Sequence, residues 1–177
     1  MDGARKIELG CGEGPQHIDD PAWVHADCRP LPHVEYVGDL SKKTVFEDNE
    51  FEEILARSIL EHIPYIRVYD VLTEWKRFLS PGGKMELIVP QIDAAFKCYS
   101  NSTMSLAEFW GYIYGGQTYP GNFHLCGFTK DILYRLLTEV GFVDIKFTNP
   151  FKYEQELEPD SWEMRVVCYK PLTTEVK

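Results

Sequence analysis

The amino-acid sequence predicts an α/β fold, and three observations carry that prediction. Short apolar runs alternate with longer amphipathic segments, which is typical of a sheet with connecting helices. An early apolar run leads directly into a glycine-rich loop, residues 10–14, as in open parallel sheets that bind ligands. The chain length of 177 residues fits one domain, 1–177, with a core that needs no disulfides.

Seven short apolar runs are predicted as strands. They cover residues 6–9, 23–26, 35–37, 53–56, 85–89, 143–148 and 164–169. The connection over residues 10–22 is barely long enough for a parallel crossover, and Pro15 and Pro21 limit any helix in it. Only six residues lie between Asp27 and Val34. This local spacing leaves both a hairpin and a shortened parallel crossover open.

The clearest helix is predicted over residues 65–79. Its apolar residues recur at the spacing of one helix face, and they are Val68, Leu72, Trp75 and Leu79. The run Ser80-Pro81-Gly82-Gly83 follows, and we expect it to end the helix and to turn the chain into the next strand.

A second helix is predicted over residues 130–140. Thr129 is placed to cap its N-terminus, and Gly141 lies where a C-terminal cap glycine belongs. The segment 91–128 before it is predicted to be the longest irregular stretch. Its aromatic residues suit a lid on the substrate side, and the alternatives are packing against the sheet or a dimer contact.

Composition and charge narrow the function. The chain carries 18 Lys and Arg against 28 Asp and Glu, a net charge of −10, which argues against nucleic acid or anionic membrane as a partner. No run approaches the roughly 18 apolar residues that span a membrane. Five scattered cysteines without a C-x-x-C pair indicate reduced thiols, so a cytoplasmic protein is expected.

The glycine loop is the sharpest motif. Gly10, Gly12 and Gly14 follow the first strand, and such glycines let a ligand lie directly on the main chain. A dinucleotide fingerprint needs a further glycine where this chain has Pro15. Glu8 within the strand would repel a phosphate and attract a cationic amine. The pattern therefore favours a cationic, phosphate-free nucleoside over NAD, although such loops also occur as plain turns.

Two acids follow at strand ends. Asp27 lies 17 residues after Gly10, where a carboxylate can accept hydrogen bonds from ribose hydroxyls. Asp39 ends the third strand and is placed to accept from an adenine amino group. The alternative for each is a turn or cap residue.

These motifs resemble those of class I S-adenosylmethionine-dependent methyltransferases, in the compact form found among sugar, polysaccharide and secondary-metabolite enzymes. The resemblance covers nearly the whole chain in the right order. Its segments are Glu8-Leu9-Gly10-Cys11-Gly12-Glu13-Gly14, Asp27, Gly38-Asp39-Leu40, Phe46 to Ile54, Ser58-Ile59-Leu60-Glu61-His62-Ile63, Leu79 to Gly83, His124 to Thr129 and Gly141-Phe142.

The resemblance implies a Rossmann-like, mostly parallel sheet of seven strands, in the order 3-2-1-4-5-7-6 with the last strand antiparallel. It also implies that the short second connection is a shortened parallel crossover. S-adenosyl-L-methionine is the implied cofactor. The implied cofactor-binding residues are Glu8, Gly10, Cys11, Gly12 and Gly14 at the methionine part, Asp27 at the ribose, Asp39 and Leu40 at the adenine, and Arg57, Ser58, Leu60 and His62 at the opposite wall.

Methyl transfer to a hydroxyl or a protonated amine needs a general base. The catalytic candidates are His124, His62 and Tyr114, while hydrogen bonding of these side chains to loop backbone or packing is the alternative. No metal is expected, because no carboxylate cluster is apparent and three other histidines lack metal-ligand spacing: His17, His25 and His33.

The expected function is methyl transfer to a small, hydroxylated metabolite or glycan precursor. A homodimer or a partner protein is expected to cover the open side of the site. One rival is a catalytically silent S-adenosylmethionine-binding module that regulates another protein. A second rival is an NAD-dependent oxidoreductase, which Pro15 and Glu8 disfavour.

Overall fold

A computed structural model describes residues 5–149 and 161–172, which form one seven-stranded sheet. The strands are β1 (Lys6–Leu9), β2 (Trp23–Asp27), β3 (Tyr36–Val37), β4 (Phe51–Arg57), β5 (Leu79–Pro90), β6 (Val143–Thr148) and β7 (Glu163–Tyr169). Their order is β3-β2-β1-β4-β5-β7-β6. Strand β7 is antiparallel to both neighbours, and the other pairs are parallel. The predicted fold class and strand order are confirmed.

Four α-helices lie in the described part of the chain: α1 (Val68–Phe78), α2 (Ile92–Ser100), α3 (Leu106–Tyr114) and α4 (Lys130–Val140). Short 3₁₀ turns cover Leu60–His62 and Tyr65–Arg67. Helix α4 has the predicted bounds. Its N-cap Thr129 accepts a hydrogen bond from the Ile132 amide at 3.3 Å, and Gly141 ends it with a φ of 87°. None of the described helices is long and apolar enough to cross a membrane.

The segment from Ser80 to Gly83 differs from the prediction, because it is the irregular start of β5 rather than a separate turn. Pairing of β5 with β4 shifts between Phe51 and Glu53. The Gly82 amide donates to the Lys170 carbonyl at 2.9 Å, and the Lys170 amide donates to the Gly83 carbonyl at 3.0 Å. These backbone bonds attach the segment to the residue that follows β7, so the glycines continue the sheet instead of leaving it.

The segment 91–128 also differs from the prediction, since it contains the helices α2 and α3. A capping box starts α3, in which Ser105 and Glu108 each bond the other's backbone amide. A small second core of Ala95, Cys98 and Met104 holds the two helices together. These buried contacts compensate for the weak helical periodicity of the segment.

The two early connections contain no helix among the described residues. Strand β2 pairs with β3 in parallel, Ala26 opposite Tyr36, so the second connection is a shortened parallel crossover and not a hairpin. In the first connection the His17 ring stacks on Trp23 with 4.0 Å between ring centroids. A stacked side chain therefore covers sheet surface that a crossover helix usually covers.

The main core lies between the sheet and helices α1 and α4. The predicted apolar face of α1 is buried, with Trp75 and Phe78 fully inaccessible to solvent. Lys76 of α1 donates to the Val140 carbonyl at the end of α4 at 2.8 Å. The first five strands run parallel, so their carboxyl ends share one edge of the sheet, where open α/β folds bind ligands.

Candidate active site at the carboxyl edge of the sheet

A cavity of about 560 Å³ opens at the carboxyl ends of β1, β2 and β4. This volume is in the usual range for small-molecule sites. Residues from five parts of the chain form its wall. The lining residues are Gly10, Gly12, Asp27, Cys28, Arg29, Asp39, Leu40, Ser41, Arg57, Ser58, Ile59, His62, Ile63, Pro64, Tyr119, Gly121, Asn122 and Leu125.

The glycine loop forms one side of this cavity through its main chain. Gly10 has a φ of 66° and Gly12 a φ of 62°, left-handed conformations that residues with a Cβ rarely adopt. A Cβ at Gly10 would lie 2.9 Å from the Ile59 side chain. Since Ile59 itself lines the cavity, glycine at position 10 allows the loop and the opposite wall to approach closely.

Asp27 lies at the end of β2 with only 5% of its surface exposed. Its Oδ2 accepts from the Gly12 amide at 2.9 Å, and its Oδ1 accepts from the Arg29 amide at 2.9 Å and from Arg29 Nε at 3.2 Å. Burial by itself would raise the pKa of Asp27, but the hydrogen bonds from Arg29 and Gly12 outweigh it and hold the pKa below its usual value. Asp27 is therefore a fixed, ionised carboxylate at the cavity wall.

Arg29 and Tyr119 join two distant parts of the cavity wall. The Arg29 guanidinium lies over the Tyr119 ring at 4.4 Å from the centroid, and it also lies 3.6 Å from the Glu13 carboxylate. Sequence reasoning missed both residues. Arg29 follows Asp27 by two positions and could have been suspected, whereas the contact with Tyr119 spans 90 residues and has no local signal.

Asp39 is both a turn residue and a residue of the cavity wall, the two alternatives that its position at a strand end left open. It lines the cavity, and its Oδ1 also accepts from the Ser41 amide at 3.0 Å and the Ser41 hydroxyl at 2.6 Å. The hydrogen bond from the Ser41 side chain, with Lys42 nearby, lowers the pKa of Asp39. Its carboxylate is half exposed, so it remains accessible to a ligand in the cavity.

Four predicted cofactor residues are not among those lining the cavity: Glu8, Cys11, Gly14 and Leu60. The Glu8 side chain is buried, and its two carboxylate oxygens lie 3.2 and 3.0 Å from the Gln16 amide. Burial raises the pKa of Glu8 despite the hydrogen bonds from the backbone of Gln16 and His17. Glu8 thus closes the glycine loop from behind, while Leu60 is fully buried in the main core.

The opposite wall follows β4. The cavity is lined here by Arg57, Ser58 and His62, and Leu40 also lines it. Ser58 has a φ of 49°, and its amide donates to the Ile88 carbonyl at 2.9 Å. Left-handed residues other than glycine store strain and occur preferentially at binding sites.

The two histidine candidates are neighbours. The rings of His62 and His124 meet edge to face with centroids 4.8 Å apart. His62 Nδ1 lies 2.9 Å from the Phe123 carbonyl, and His124 Nδ1 lies 2.8 Å from the Tyr112 carbonyl. Burial lowers the pKa of both rings. His62 lines the cavity, and His124 lies directly behind it.

Two further residues complete this region. Glu61 is almost fully buried beside the histidines, and burial raises its pKa to about 8. Sequence reasoning passed over it, although it stands within the matched segment before His62. Tyr114 ends α3, is 53% exposed and is not among the lining residues. Its carbonyl accepts from the His124 amide at 3.1 Å.

The residues present fit a phosphate-free nucleoside. Asp27 and Asp39 offer acceptors for hydroxyl and amino groups, and Leu40, Ile59 and Ile63 offer apolar surface for a base. An acidic side chain stands beside the glycine loop, where a phosphate site needs donors and positive charge. S-adenosylmethionine meets these requirements and NAD meets them less well.

Comparisons with known proteins agree with this geometry. Residues 17–87 match the family described as methyltransferase domain. No curated protein matches the chain significantly. The matched residues include Asp27, Asp39 and the wall from Arg57 to His62, whereas the glycine loop precedes them.

Solved structures show the same fold. The CurJ carbon methyltransferase superposes with a TM-score of 0.66 at 15% identity, over 96% of this chain and 49% of that one. A Thermotoga maritima protein described as a possible histamine N-methyltransferase gives 0.64 at 14% identity, over 96% of this chain and 84% of that one. Haemonchus contortus phosphoethanolamine N-methyltransferase 2, in complex with S-adenosyl-L-methionine, superposes with a TM-score of 0.59 at 15% identity. The superposition covers 96% of this chain and 49% of that one. This chain thus spans about half the length of two of these three structures.

The strand order belongs to the fold that this chain shares with these solved methyltransferases, and the matched domain covers residues 17–87. The match to the methyltransferase domain, and the fold shared with a structure solved in complex with S-adenosyl-L-methionine, indicate the activity and the cofactor to consider for this chain.

Proposed function

We propose that this chain transfers a methyl group from S-adenosylmethionine to a small, hydroxylated metabolite or glycan precursor. The observation that carries the proposal is the fixed Asp27 carboxylate beside the glycine loop, in a cavity of small-molecule size. The net charge of −10 supports a small acceptor over a nucleic acid, which binds to basic surfaces.

Asp27 is proposed to bind the ribose of the cofactor. A carboxylate offers about four lone-pair directions. Three of them accept from Gly12 and Arg29, and the open one is on Oδ2. We therefore expect Asp27 to accept from one ribose hydroxyl.

Asp39 is proposed to accept from the adenine amino group. The surrounding wall of the cofactor site is proposed to consist of Gly10, Gly12, Leu40, Arg57 and Ser58. Four further residues remain predicted to affect cofactor binding, through the glycine loop and the core behind it: Glu8, Cys11, Gly14 and Leu60.

When bound, S-adenosylmethionine supplies an electrophilic methyl group on a sulfonium, so the protein mainly has to orient the acceptor and exclude water. A hydroxyl acceptor must also lose its proton. Carbonyl oxygens only accept hydrogen bonds, so the Nδ1 atoms of His62 and His124 carry hydrogen and each Nε2 carries a lone pair. His62 Nε2 can take the proton of a hydroxyl in the cavity. Tyr114 remains a prediction, and its exposed side chain is not part of the cavity lining.

The acceptor class is tested with S-adenosylmethionine labelled in its methyl group. The protein is incubated with this cofactor and a cell extract separated into small-molecule, protein and nucleic-acid fractions. We expect S-adenosylhomocysteine to form and the label to enter the small-molecule fraction. Label that enters only protein or nucleic acid would contradict the proposed acceptor. The Asp27→Ala variant is the control for enzyme-dependent labelling.

A silent cofactor-binding module is the second candidate. One face of α3 exposes apolar residues one turn apart, Leu106, Trp110 and Tyr114, next to the loop that supplies Tyr119 and Asn122 to the cavity. A second copy or a partner protein on this face would cover the open side of the site. Cofactor binding without S-adenosylhomocysteine from any fraction would favour this candidate, and light scattering of the purified chain tests the homodimer.

The cytoplasm remains the proposed location. All five cysteines are thiols, including the exposed Cys28, which suits a reducing compartment.

A further inference from the structure

We propose that Glu61, His62 and His124 form a binding site for one divalent transition-metal ion at the edge of the cavity. One ligand atom from each residue lies within 4.8 Å of the other two. The closest ion-pair distance, from Glu61 Oε1 to His124 Nε2, is 4.0 Å. The sequence prediction of no metal site rested on spacing along the chain, and His124 reaches this cluster from 62 positions beyond His62.

The hydrogen bonds of both histidines leave Nε2 as the nitrogen that can bind a metal ion. Their Nδ1 atoms are held by backbone carbonyls, at 2.9 Å from Phe123 for His62 and at 2.8 Å from Tyr112 for His124. The Nε2 lone pairs therefore point away from these hydrogen bonds. A backbone carbonyl on the second ring nitrogen is the usual way in which proteins orient a metal-binding histidine.

Among the described residues, His124 is the one charged partner that lies near the Glu61 side chain. Its side chain is 1% exposed, and its Oε2 makes no hydrogen bond. Within residues 5–149 and 161–172, no lysine or arginine forms an ion pair with it. Its backbone carbonyl accepts from the Leu125 amide at 2.8 Å, which fixes its position against the loop that carries His124. A buried carboxylate oxygen without a partner is costly, and a cation would satisfy it.

The donor set indicates the kind of ion. Two imidazole nitrogens and one carboxylate oxygen are typical of zinc, cobalt and related ions in sites with open coordination positions, whereas magnesium and calcium prefer oxygen ligands. Ligands at 2.0–2.2 Å from a tetrahedral ion lie about 3.4 Å apart. Closure around an ion thus requires side-chain movements of about 1 Å. Glu61 and His62 lie on one 3₁₀ turn and His124 lies on a loop, and a change of side-chain rotamer can supply such movements.

The ion would deepen the proposed function, on which its catalytic role rests. His62 lines the cavity, so an ion on its Nε2 would stand next to a bound acceptor. An acceptor hydroxyl that occupies an open coordination position becomes more acidic, and its proton leaves to water. A metal-bound His62 cannot also serve as a general base. Dependence of the methyl transfer on metal therefore separates the two roles.

Metal binding is tested on the full chain without a polyhistidine tag. The metal-free protein is titrated with Co²⁺ and followed by visible absorption, and Zn²⁺ is then added as a competitor. We expect one Co²⁺ per chain, displaced by Zn²⁺ and unaffected by millimolar Mg²⁺. Absence of stoichiometric Co²⁺ and Zn²⁺ binding by the folded wild type would overturn the proposal.

Variants locate the site. Glu61→Gln, His62→Ala and His124→Ala should each weaken Co²⁺ binding at least tenfold, and thermal unfolding shows which variants remain folded. His17→Ala, which removes a histidine on the far side of the glycine loop, is the matched control and should bind like the wild type. The assignment would be refuted if the folded His62→Ala and His124→Ala variants bound Co²⁺ with the same affinity as the wild type. Calorimetry with S-adenosylmethionine alone keeps the two proposals apart, because cofactor binding without Co²⁺ binding refutes only the metal site, and the reverse refutes only the proposed function.

Discussion

Asp27 has two tasks at the scale of the residue. Its Oδ2 accepts from the Gly12 amide and thereby shapes the glycine loop, and the residue also lines the cavity, where we propose that it binds the ribose. The lowered pKa of Asp27 keeps it ionised at neutral pH. If Asp27 binds the cofactor as proposed, a single buried carboxylate couples the shape of the loop to the affinity for the cofactor.

Gly10 is predicted to be intolerant of a side chain. Alanine at position 10 must adopt a φ near 66° and would meet Ile59 at 2.9 Å. We expect Gly10→Ala to lower the free energy of unfolding by about 1–3 kcal/mol and to weaken cofactor binding. Urea denaturation measures the first effect.

Gly111 provides the matched control for this glycine. It lies within α3, and a Cβ there would meet nothing within 4 Å. We expect Gly111→Ala to raise the free energy of unfolding by about 0.5–1 kcal/mol, since alanine favours the helix. Equal effects of the two substitutions would contradict the role given to Gly10.

At the scale of elements, the predictions succeeded where a local signal specified the backbone. Thr129 and Gly141 mark the two ends of α4, and the predicted and observed bounds coincide. For α3 the signal was also present, because Ser105 and Glu108 match the S-x-x-E pattern of a capping box, but it was overlooked among the surrounding aromatic residues. The start of β5 was missed for another reason, since backbone bonds to Lys170, almost 90 residues away, hold it.

The N-cap of α4 is a testable contribution. Thr129→Ala removes the acceptor of the Ile132 amide and should lower the free energy of unfolding by about 1 kcal/mol. Thr138→Ala, on the exposed face of the same helix, removes only a hydrogen bond to the Tyr134 carbonyl. Because alanine has the higher helix propensity, we expect Thr138→Ala to be neutral or slightly stabilising in the same urea experiment. A larger loss in Thr138→Ala than in Thr129→Ala would contradict the capping role.

At the scale of the whole molecule, residues from distant parts of the chain build the site. The glycine loop and the strand-end acids were identifiable from the sequence because they follow single strands. Three parts of the site were not: the Arg29–Tyr119 stack, the contact of Gly10 with Ile59, and the cluster of Glu61 with the histidines. Each is a tertiary contact without a local pattern. Tyr119 and His124 follow α3, in the segment that the sequence analysis expected to be irregular.

Glu74 contributes to the acid stability of the whole molecule. Its Oε1 accepts from the amide and the hydroxyl of Thr44, both at 2.8 Å, and the hydrogen bonds from Arg77 are the main reason that the pKa of Glu74 falls to about 2. A carboxyl whose pKa is lower in the folded state stabilises the protein above its unfolded pKa, near 4.5, and loses that contribution as the pH falls toward 2.

Glu74→Gln should therefore cost roughly 2–3 kcal/mol at pH 7 and much less at pH 2.5. Urea denaturation at several pH values measures this convergence. Glu139→Gln, an exposed position on α4, is the control and should show no comparable pH-dependent difference from the wild type. Parallel stability curves for the wild type and Glu74→Gln would contradict the assignment.

The central claim, that Asp27 and the glycine loop bind S-adenosylmethionine, is tested most directly by calorimetric titration. S-adenosylmethionine is titrated into the wild type, into Asp27→Ala and into Asp19→Ala as an exposed control, with NAD as the comparison ligand. We predict that the wild type and Asp19→Ala bind S-adenosylmethionine alike and in preference to NAD. Asp27→Ala should bind at least tenfold more weakly, in line with about 1.5–3 kcal/mol for a hydrogen bond to a charged group. A folded wild type that does not bind S-adenosylmethionine, or an Asp27→Ala variant that binds it equally well, would contradict the claim.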